Sequence, residues 1–294
     1  MGEKHLISGL QLWQWRNAAL EAAIATDVPT MEVDWLLLEV AGLDRLALRL
    51  ESFKNWPQIQ LQLPLEKLNQ LWQRRLNDRL PVQYIAGVTP WRNFQIAVSS
   101  AVLIPRPETE CLIDLALAAA NDVSGHWADL GTGSGAIALG LADVLPATIH
   151  AVDYSLEALA IARTNADNLG FADRIKFYRG SWWEPLAFLK GQFSGMVSNP
   201  PYIPTSTLPT LQPEVFNHEP HLALDGGGDG LDCIRHLIEI SPSYLQPGGV
   251  WLIEMMAGQA DAVRELLQNQ GSYCKIQIHA DLAGIERFAL AYKS

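Results

Sequence analysis

Beyond about residue 105 the apolar positions alternate between two spacings. HWADL, TIHAVD, IKFYRG, FSGMVS and GGVWLIEM are short and read as strands. Between and after them lie ETECLIDLALAAA, GAIALGLADVL, LEALAIARTNADNLG, LDCIRHLIEISPSYL and QADAVRELLQNQG, which read as helices. KIQIHAD and RFALAYK close the chain as two more strands. This alternation predicts an α/β fold, a doubly wound, mostly parallel sheet with an antiparallel end.

The first part of the chain follows another rule. In PLEKLNQLWQRRLNDRL, Pro64 suits a first helical position, Leu68, Leu71, Trp72 and Leu76 share one face, and Pro81 stops the helix. In PTMEVDWLLLEVAGL, Val33, Leu36, Leu37, Val40 and Leu43 form a similar stripe, with Thr30 as the expected N-cap and Gly42 near the end. Trp13, Trp15, Trp35, Trp56 and Trp72 suit either the core of a small bundle or a docking surface for a protein. Residues 83–104 turn to β-branched and aromatic residues with turn signals at Gly87, Pro90 and Asn93, which predicts a β-hairpin linker. The expected organisation is therefore a helical domain over 1–82, the linker over 83–104, and the α/β domain over 105–294.

Composition narrows the function classes. The 294 residues are 49% hydrophobic and 18% charged, enough for packed cores. A net charge of −11 disfavours a broad phosphate-gripping surface, so direct binding of nucleic acid is not expected. No apolar run reaches the ~18–20 residues of a membrane span. The opening MGEKHLISGL carries no secretory apolar region, and Leu6 stands where a myristoylation signal wants Ser or Thr, so a cytoplasmic location is expected. Cys111, Cys233 and Cys274 are far apart and form no CxxC, the pattern of reduced thiols.

ADLGTGSGAIALGLA runs from a strand through Gly131, Gly133 and Gly135 into a helix. Glycines let a backbone turn sharply and approach a ligand, and the helix N-terminus adds aligned N–H donors. Asp153 ends the next strand, 22 residues after Gly131, where a carboxylate can accept both hydroxyls of a ribose. An adenosine-bearing cofactor follows. The spacing is GxGxG rather than the GxGxxG that seats a pyrophosphate, which favours a cofactor without phosphate, with S-adenosyl-L-methionine the obvious member. Trp182, in RGSWWEPL, suits either the adenine face or a core or hinge position.

SNPPYIP follows FSGMVS, the fourth strand of the wound sheet, and in such folds ligands lie beyond the carboxyl ends of the strands. Asn199 precedes a proline and both prolines fix φ, so the segment from Asn199 to Tyr202 has little conformational freedom. The Asn199 side-chain oxygen and the Pro200 carbonyl are two acceptors, matched to the two donors of a planar –NH2 group, and Tyr202 offers a flat face. Such a nitrogen is a poor nucleophile because its lone pair is conjugated. Two fixed acceptors that strengthen as the nitrogen becomes positive favour its methylation.

RLPVQYIAG, VLIPRPETE, DLGTGSGAIALGLA, AVD, SNPPYIP and DLAGIERF, in this order and over most of the chain, resemble the HemK/PrmC family, the glutamine N5-methyltransferases of peptide chain release factors. The resemblance implies a Rossmann-like methyltransferase domain and S-adenosyl-L-methionine as donor. It implies as acceptor the glutamine of the release factor's GGQ motif, with the helical N-terminal region helping to bind that factor. Carried over by motif, Gly131, Thr132, Gly133, Ser134, Gly135, Asp153, Trp182 and Asn199 would contact the cofactor. Asn199, Pro200, Pro201 and Tyr202 would hold the glutamine amide, with Asn199, Pro200 and Tyr202 as the catalytic set. Arg106, Pro107 and Glu108 would border the site. A monomer is expected. Met255 and Met256 depart from the family's pattern, so the resemblance assigns no contacts around Glu254.

His218, Glu219 and His221 suggest a metal, but Pro220 interrupts them, and no metal is expected. DGGGDGLD reads as a turn leading into a helix, because the twelfth position from Asp225 is His236 where a calcium loop wants Glu. The same acceptor chemistry also suits an adenine amino group or a ribosomal-protein glutamine. A non-catalytic module that binds S-adenosyl-L-methionine would have no need of the Asn199–Tyr202 segment.

Overall fold

The computed structural model describes residues 5–294, so the first four residues of the opening segment, on which the expectation of no leader partly rests, lie outside it. The described residues form two compact units, one running to Gly87 and including Pro213–His218, the other comprising Val88–Gln212 and Glu219–Ser294.

In the first unit, helix Gly9–Ala25 is opened by a capping box in which Ser8 accepts the Gln11 N–H and the Gln11 side chain accepts the Ser8 N–H. Helices Met31–Ala41 and Leu65–Asn77 turn Val33, Leu36, Leu37 and Val40, and Leu68, Trp72 and Leu76, into one apolar core. Trp13, Trp15 and Trp35 pack partly against that core, whereas Trp56 is exposed.

Three local expectations are corrected. Pro64 stands at the N-cap rather than inside the helix, because its ψ of 143° is extended. The Thr30 side chain makes no cap bond, since its backbone is already helical. The helix ends at Asn77, short of Pro81, and a separate short helix, Val82–Ala86, follows that proline. A small antiparallel ladder, β1 (His5–Ile7) with β2 (Ile59–Leu61), was not legible in the pattern because each strand spans three residues. The buried Arg75 pairs with Glu32 at 2.6 Å and with Glu214 at 2.8 Å, so its charge is matched twice inside this unit.

The second unit opens with the hairpin β3 (Val88–Trp91) and β4 (Phe94–Ala97). Its main sheet contains β5 (His126–Leu130), β6 (Thr148–Asp153), β7 (Ile175–Arg179), β8 (Phe193–Ser198), β9 (Leu245–Glu254), β10 (Tyr273–Ala280) and β11 (Glu286–Lys293). The order is β10-β11-β9-β8-β5-β6-β7, parallel from β9 to β7 and antiparallel at β10 and β11. This is the doubly wound, Rossmann-like sheet that the alternation predicts.

Every residue of β8 is buried, and its two serines are tolerated there because the Ser198 hydroxyl donates to the Leu130 carbonyl and the Ser194 hydroxyl to Asp122. Gly195 is required there: a β-carbon would lie 2.4 Å from the Trp127 ring on neighbouring β5. β5 pairs with β6 on one side and β8 on the other, so the winding direction reverses at β5. Crevices beyond the carboxyl ends of strands at such a reversal are where open α/β sheets bind ligands. Among the described residues, no helix is long and apolar enough to cross a membrane.

Candidate active site

The loop after β5 is shaped by three left-handed glycines, Gly131, Gly133 and Gly135, with φ of 80°, 54° and 85°. Gly131 and Thr132 both donate to the Val152 carbonyl at 2.9 Å, which ties the loop to β6. Gly135 caps helix Ala136–Val144 without a side chain, and Asp129 supplies what it lacks. The Asp129 Oδ2 accepts the Thr132 hydroxyl at 2.5 Å and the Ala138 N–H at 3.0 Å. Its Oδ1 has no partner, and complete burial pushes the carboxyl up to about 7. Asn165, on helix Leu156–Leu169, secures the far side by donating to the Ser134 and Ala97 carbonyls and accepting the Ala97 N–H.

Asp153, at the end of β6, accepts the Gly133 N–H at 2.8 Å and the Ser155 N–H at 2.9 Å, one on each oxygen. A carboxylate oxygen accepts more than one hydrogen bond, so both retain capacity for a diol. Burial raises the Asp153 pKa, and the backbone donors partly oppose that rise. Trp182 has a φ of 48°, a strained value for a bulky residue, and its ring stands 3.5 Å from where a Gly131 β-carbon would be.

These groups surround a cavity of about 570 Å³ whose wall includes Gly131, Thr132, Gly133, Ser134, Asp153, Trp182, Asn199 and Pro201. Gly135, Pro200 and Tyr202 are not on that wall. Gly135 begins the helix behind the loop, and Tyr202 packs against the sheet core with its hydroxyl donated to Glu254 at 3.1 Å. Burial, and next the Glu254 charge, raise the phenol's pKa, so at neutral pH Tyr202 is a donor and cannot serve as a base.

Among the wall residues Arg106 is the one cation, and its Nη2 bonds both oxygens of the buried Glu219 at 2.7 Å. The wall thus offers a phosphate no unpaired positive charge, while glycine backbone, an indole ring and a carboxylate suit an adenosine without phosphate. Glu219 is thereby committed to Arg106. Among the described residues, no three His, Cys, Asp or Glu side chains gather as a metal site.

The Asn199–Tyr202 segment is seated from behind by Gln259, at the start of a segment read as helical, and by glycines that the sequence reading took for a turn. Gln259 donates to the Tyr202 carbonyl at 3.0 Å and to the Gly230 carbonyl at 3.3 Å. A β-carbon on Gly226 would lie 2.8 Å from Tyr202 Cα, and one on Gly230 would lie 2.3 Å from the Tyr202 carbonyl oxygen. The available signal was the cluster of glycines in DGGGDG, which close backbone approach explains better than turning alone. Thr109 and Glu254 were missed as a pair, because they are brought together only by folding.

A glycine-shaped strand-to-helix loop, an acid at the next strand's end and a rigid pair of acceptors after the fourth strand define a methyltransferase site. Residues 109–231 match the Methyltransferase small domain model. The fold is also that of the hMettl16 catalytic domain solved with an RNA hairpin, at TM-score 0.56 and 17% identity over 76% of this chain and 78% of that one. A methyltransferase from Pyrococcus furiosus aligns at TM-score 0.51 and 15% identity over 78% and 98% of the two chains. At these identities the likeness concerns the fold alone.

Sequence relatives are more particular. A release factor glutamine methyltransferase of Synechocystis sp. is 55% identical over 98% of both chains, and one of Thermosynechococcus vestitus is 48% identical over 95% of this chain and 96% of its own. The chain belongs to the release factor glutamine methyltransferase family.

Proposed function

We propose that the protein transfers the methyl group of S-adenosyl-L-methionine to the side-chain amide nitrogen of the glutamine in the GGQ motif of peptide chain release factors. The observation that carries this reading is the single cavity on whose wall the glycine loop, Asp153, Trp182 and Asn199 meet. Family membership supports the choice of protein substrate.

The Gly131–Ser134 loop, Asp153 and Trp182 hold the cofactor, which when bound supplies an electrophilic sulfonium methyl. Asp153 accepts the ribose hydroxyls, and Trp182 offers its ring to the adenine. Asn199 and Pro200 hold the glutamine. Among the described residues, neither the Asn199 Oδ1 nor the Pro200 carbonyl accepts a hydrogen bond; Asn199 stands on the cavity wall, and Pro200 is buried directly behind it.

Conjugation in an amide is strong, as the ~18–20 kcal/mol rotation barrier shows, and it must be weakened before the nitrogen can attack. Asn199 and Pro200 act on those N–H bonds, and their attraction grows as positive charge develops on nitrogen. Pro200 and Pro201 hold the acceptors in place before substrate arrives, so little ordering remains to be done at the transition state. The proton is acidic once the methyl is in place, and Tyr202 takes no part in removing it.

We assign residues 1–82 to docking of the release factor, 83–104 to the linker and 105–294 to methyl transfer. The compact unit that runs to Gly87 supports this division. A monomer acting in the cytoplasm on the protein factor, without direct contact to nucleic acid, completes the reading, and the net charge of −11 supports the last point.

The test incubates the protein with labelled S-adenosyl-L-methionine and a release factor, its GGQ-to-GGA variant, a ribosomal-protein mixture or duplex DNA, and locates the label by mass spectrometry. Label on the GGQ glutamine and none on the GGA variant is the expected result. Label confined to DNA or ribosomal protein would overturn the substrate.

A further inference from the structure

Two side chains of the Asn199–Tyr202 segment are joined through residues outside it. Asn199 Nδ2 donates to the Thr109 hydroxyl at 3.3 Å, Thr109 donates to Glu254 Oε2 at 2.7 Å, and the Tyr202 hydroxyl donates to Glu254 Oε1 at 3.1 Å. Thr109 and Glu254 are 4% and 2% exposed. Thr109 belongs to the turn Glu108–Glu110, and Glu254 ends β9, so three separate parts of the second unit converge here.

The direction of this chain has a chemical consequence. A threonine hydroxyl has one hydrogen, and with that hydrogen committed to the Glu254 carboxylate it can only accept from Asn199. The side of the Asn199 carboxamide that faces Thr109 is therefore its –NH2, and Oδ1 faces the other way. A carboxamide turned over would present two donors to a substrate amide that itself brings two donors, and the pairing would be lost.

We propose that Thr109 and Glu254 are positioning residues that fix which way round the Asn199 amide sits, with Glu254 anchoring Tyr202 at the same time. The inference rests on the reading of Asn199 as an acceptor for the substrate –NH2. Glu254 is not a base for the substrate: it does not line the cavity, and each of its oxygens takes a hydroxyl. The nearby cation Arg287 is bonded to Asp281 at 2.7 Å.

The test measures initial rates with a release factor, together with cofactor Kd by calorimetry, for the full-length protein and its Thr109→Val, Thr109→Ser, Glu254→Gln and Asn199→Ala variants. Valine matches threonine in shape and lacks the hydroxyl. Thr109→Val is expected to lower kcat by about 100-fold, the scale of a misplaced catalytic group, with cofactor Kd and release-factor KM nearly constant. Thr109→Ser restores the rate. Glu254→Gln, which can donate to Thr109 and so free its hydrogen to turn toward Asn199, lowers kcat at unchanged Kd.

In an Asn199→Ala background, Thr109→Val has no further effect, because the group it orients is gone. A near wild-type kcat in Thr109→Val or Glu254→Gln, or an equal loss with and without Asn199, would overturn the proposal while leaving the methyltransferase reading intact. A wild-type protein that never labels the glutamine would instead overturn that reading, and this inference with it.

Discussion

Asp129→Asn probes how the glycine loop is supported. The carboxyl is fully buried, holds the Thr132 hydroxyl and the Ala138 N–H on one oxygen, and leaves the other without a partner. Burial outweighs the two donors and Asp153 adds repulsion, so the group rises from an ordinary 3.8 to about 7. At 1.36 kcal/mol per pH unit this corresponds to roughly 4 kcal/mol.

The folded protein binds this proton more tightly than the unfolded chain does. Asp129 therefore makes a destabilising contribution that is absent below the unfolded pKa, grows as pH rises from about 4 to about 7, and is constant above. The substituted amide does not titrate. Its –NH2 falls where no acceptor waits, a cost of about 1–3 kcal/mol that is the same at every pH. The unfolding free energy of the variant minus that of the wild type should thus climb by up to about 4 kcal/mol between acid and mildly alkaline pH. Urea denaturation at a series of pH values, followed by tryptophan fluorescence, reads this difference directly. A difference that stays level across the series would refute the reasoning, whatever its sign.

Two further outcomes are expected. Gly230→Ala places a β-carbon 2.3 Å from the Tyr202 carbonyl oxygen at a φ of 79°, and should lower kcat by about 100-fold through displacement of the Asn199–Tyr202 segment, with cofactor Kd little changed; wild-type turnover would show that Gly230 does not seat it. The raised pKa of Asp153 predicts that affinity for S-adenosyl-L-methionine declines on acidification at a pH above the ordinary carboxylate range. Asp153→Asn should weaken binding by about 10- to 100-fold, the scale of a hydrogen bond to a charged group, and flatten that decline; calorimetry showing equal affinity in the variant would contradict the role given to Asp153.

The sequence alone determined whatever is carried by neighbours along the chain. Periodicity distinguished the buried strands from the helices, because a strand covered on both faces is short and mostly apolar, with its few polar residues hydrogen-bonded inside, as Asp129 and Ser198 are. The glycine loop, Asp153 and the Asn199–Tyr202 segment were legible for a related reason: a left-handed turn, a residue at a strand's end and a proline-locked backbone are local demands on residue type.

Only the tertiary structure decided which distant groups meet. Trp127 fills the space left by Gly195 across two strands, Gly226 and Gly230 admit Tyr202, and Asn165 ties the loop to the hairpin. Thr109 and Glu254 are 145 positions apart, and each looks ordinary in its own segment. Their hydrogen bond exists because the sheet brings the end of β9 beside the turn Glu108–Glu110, a long-range contact that no local pattern encodes.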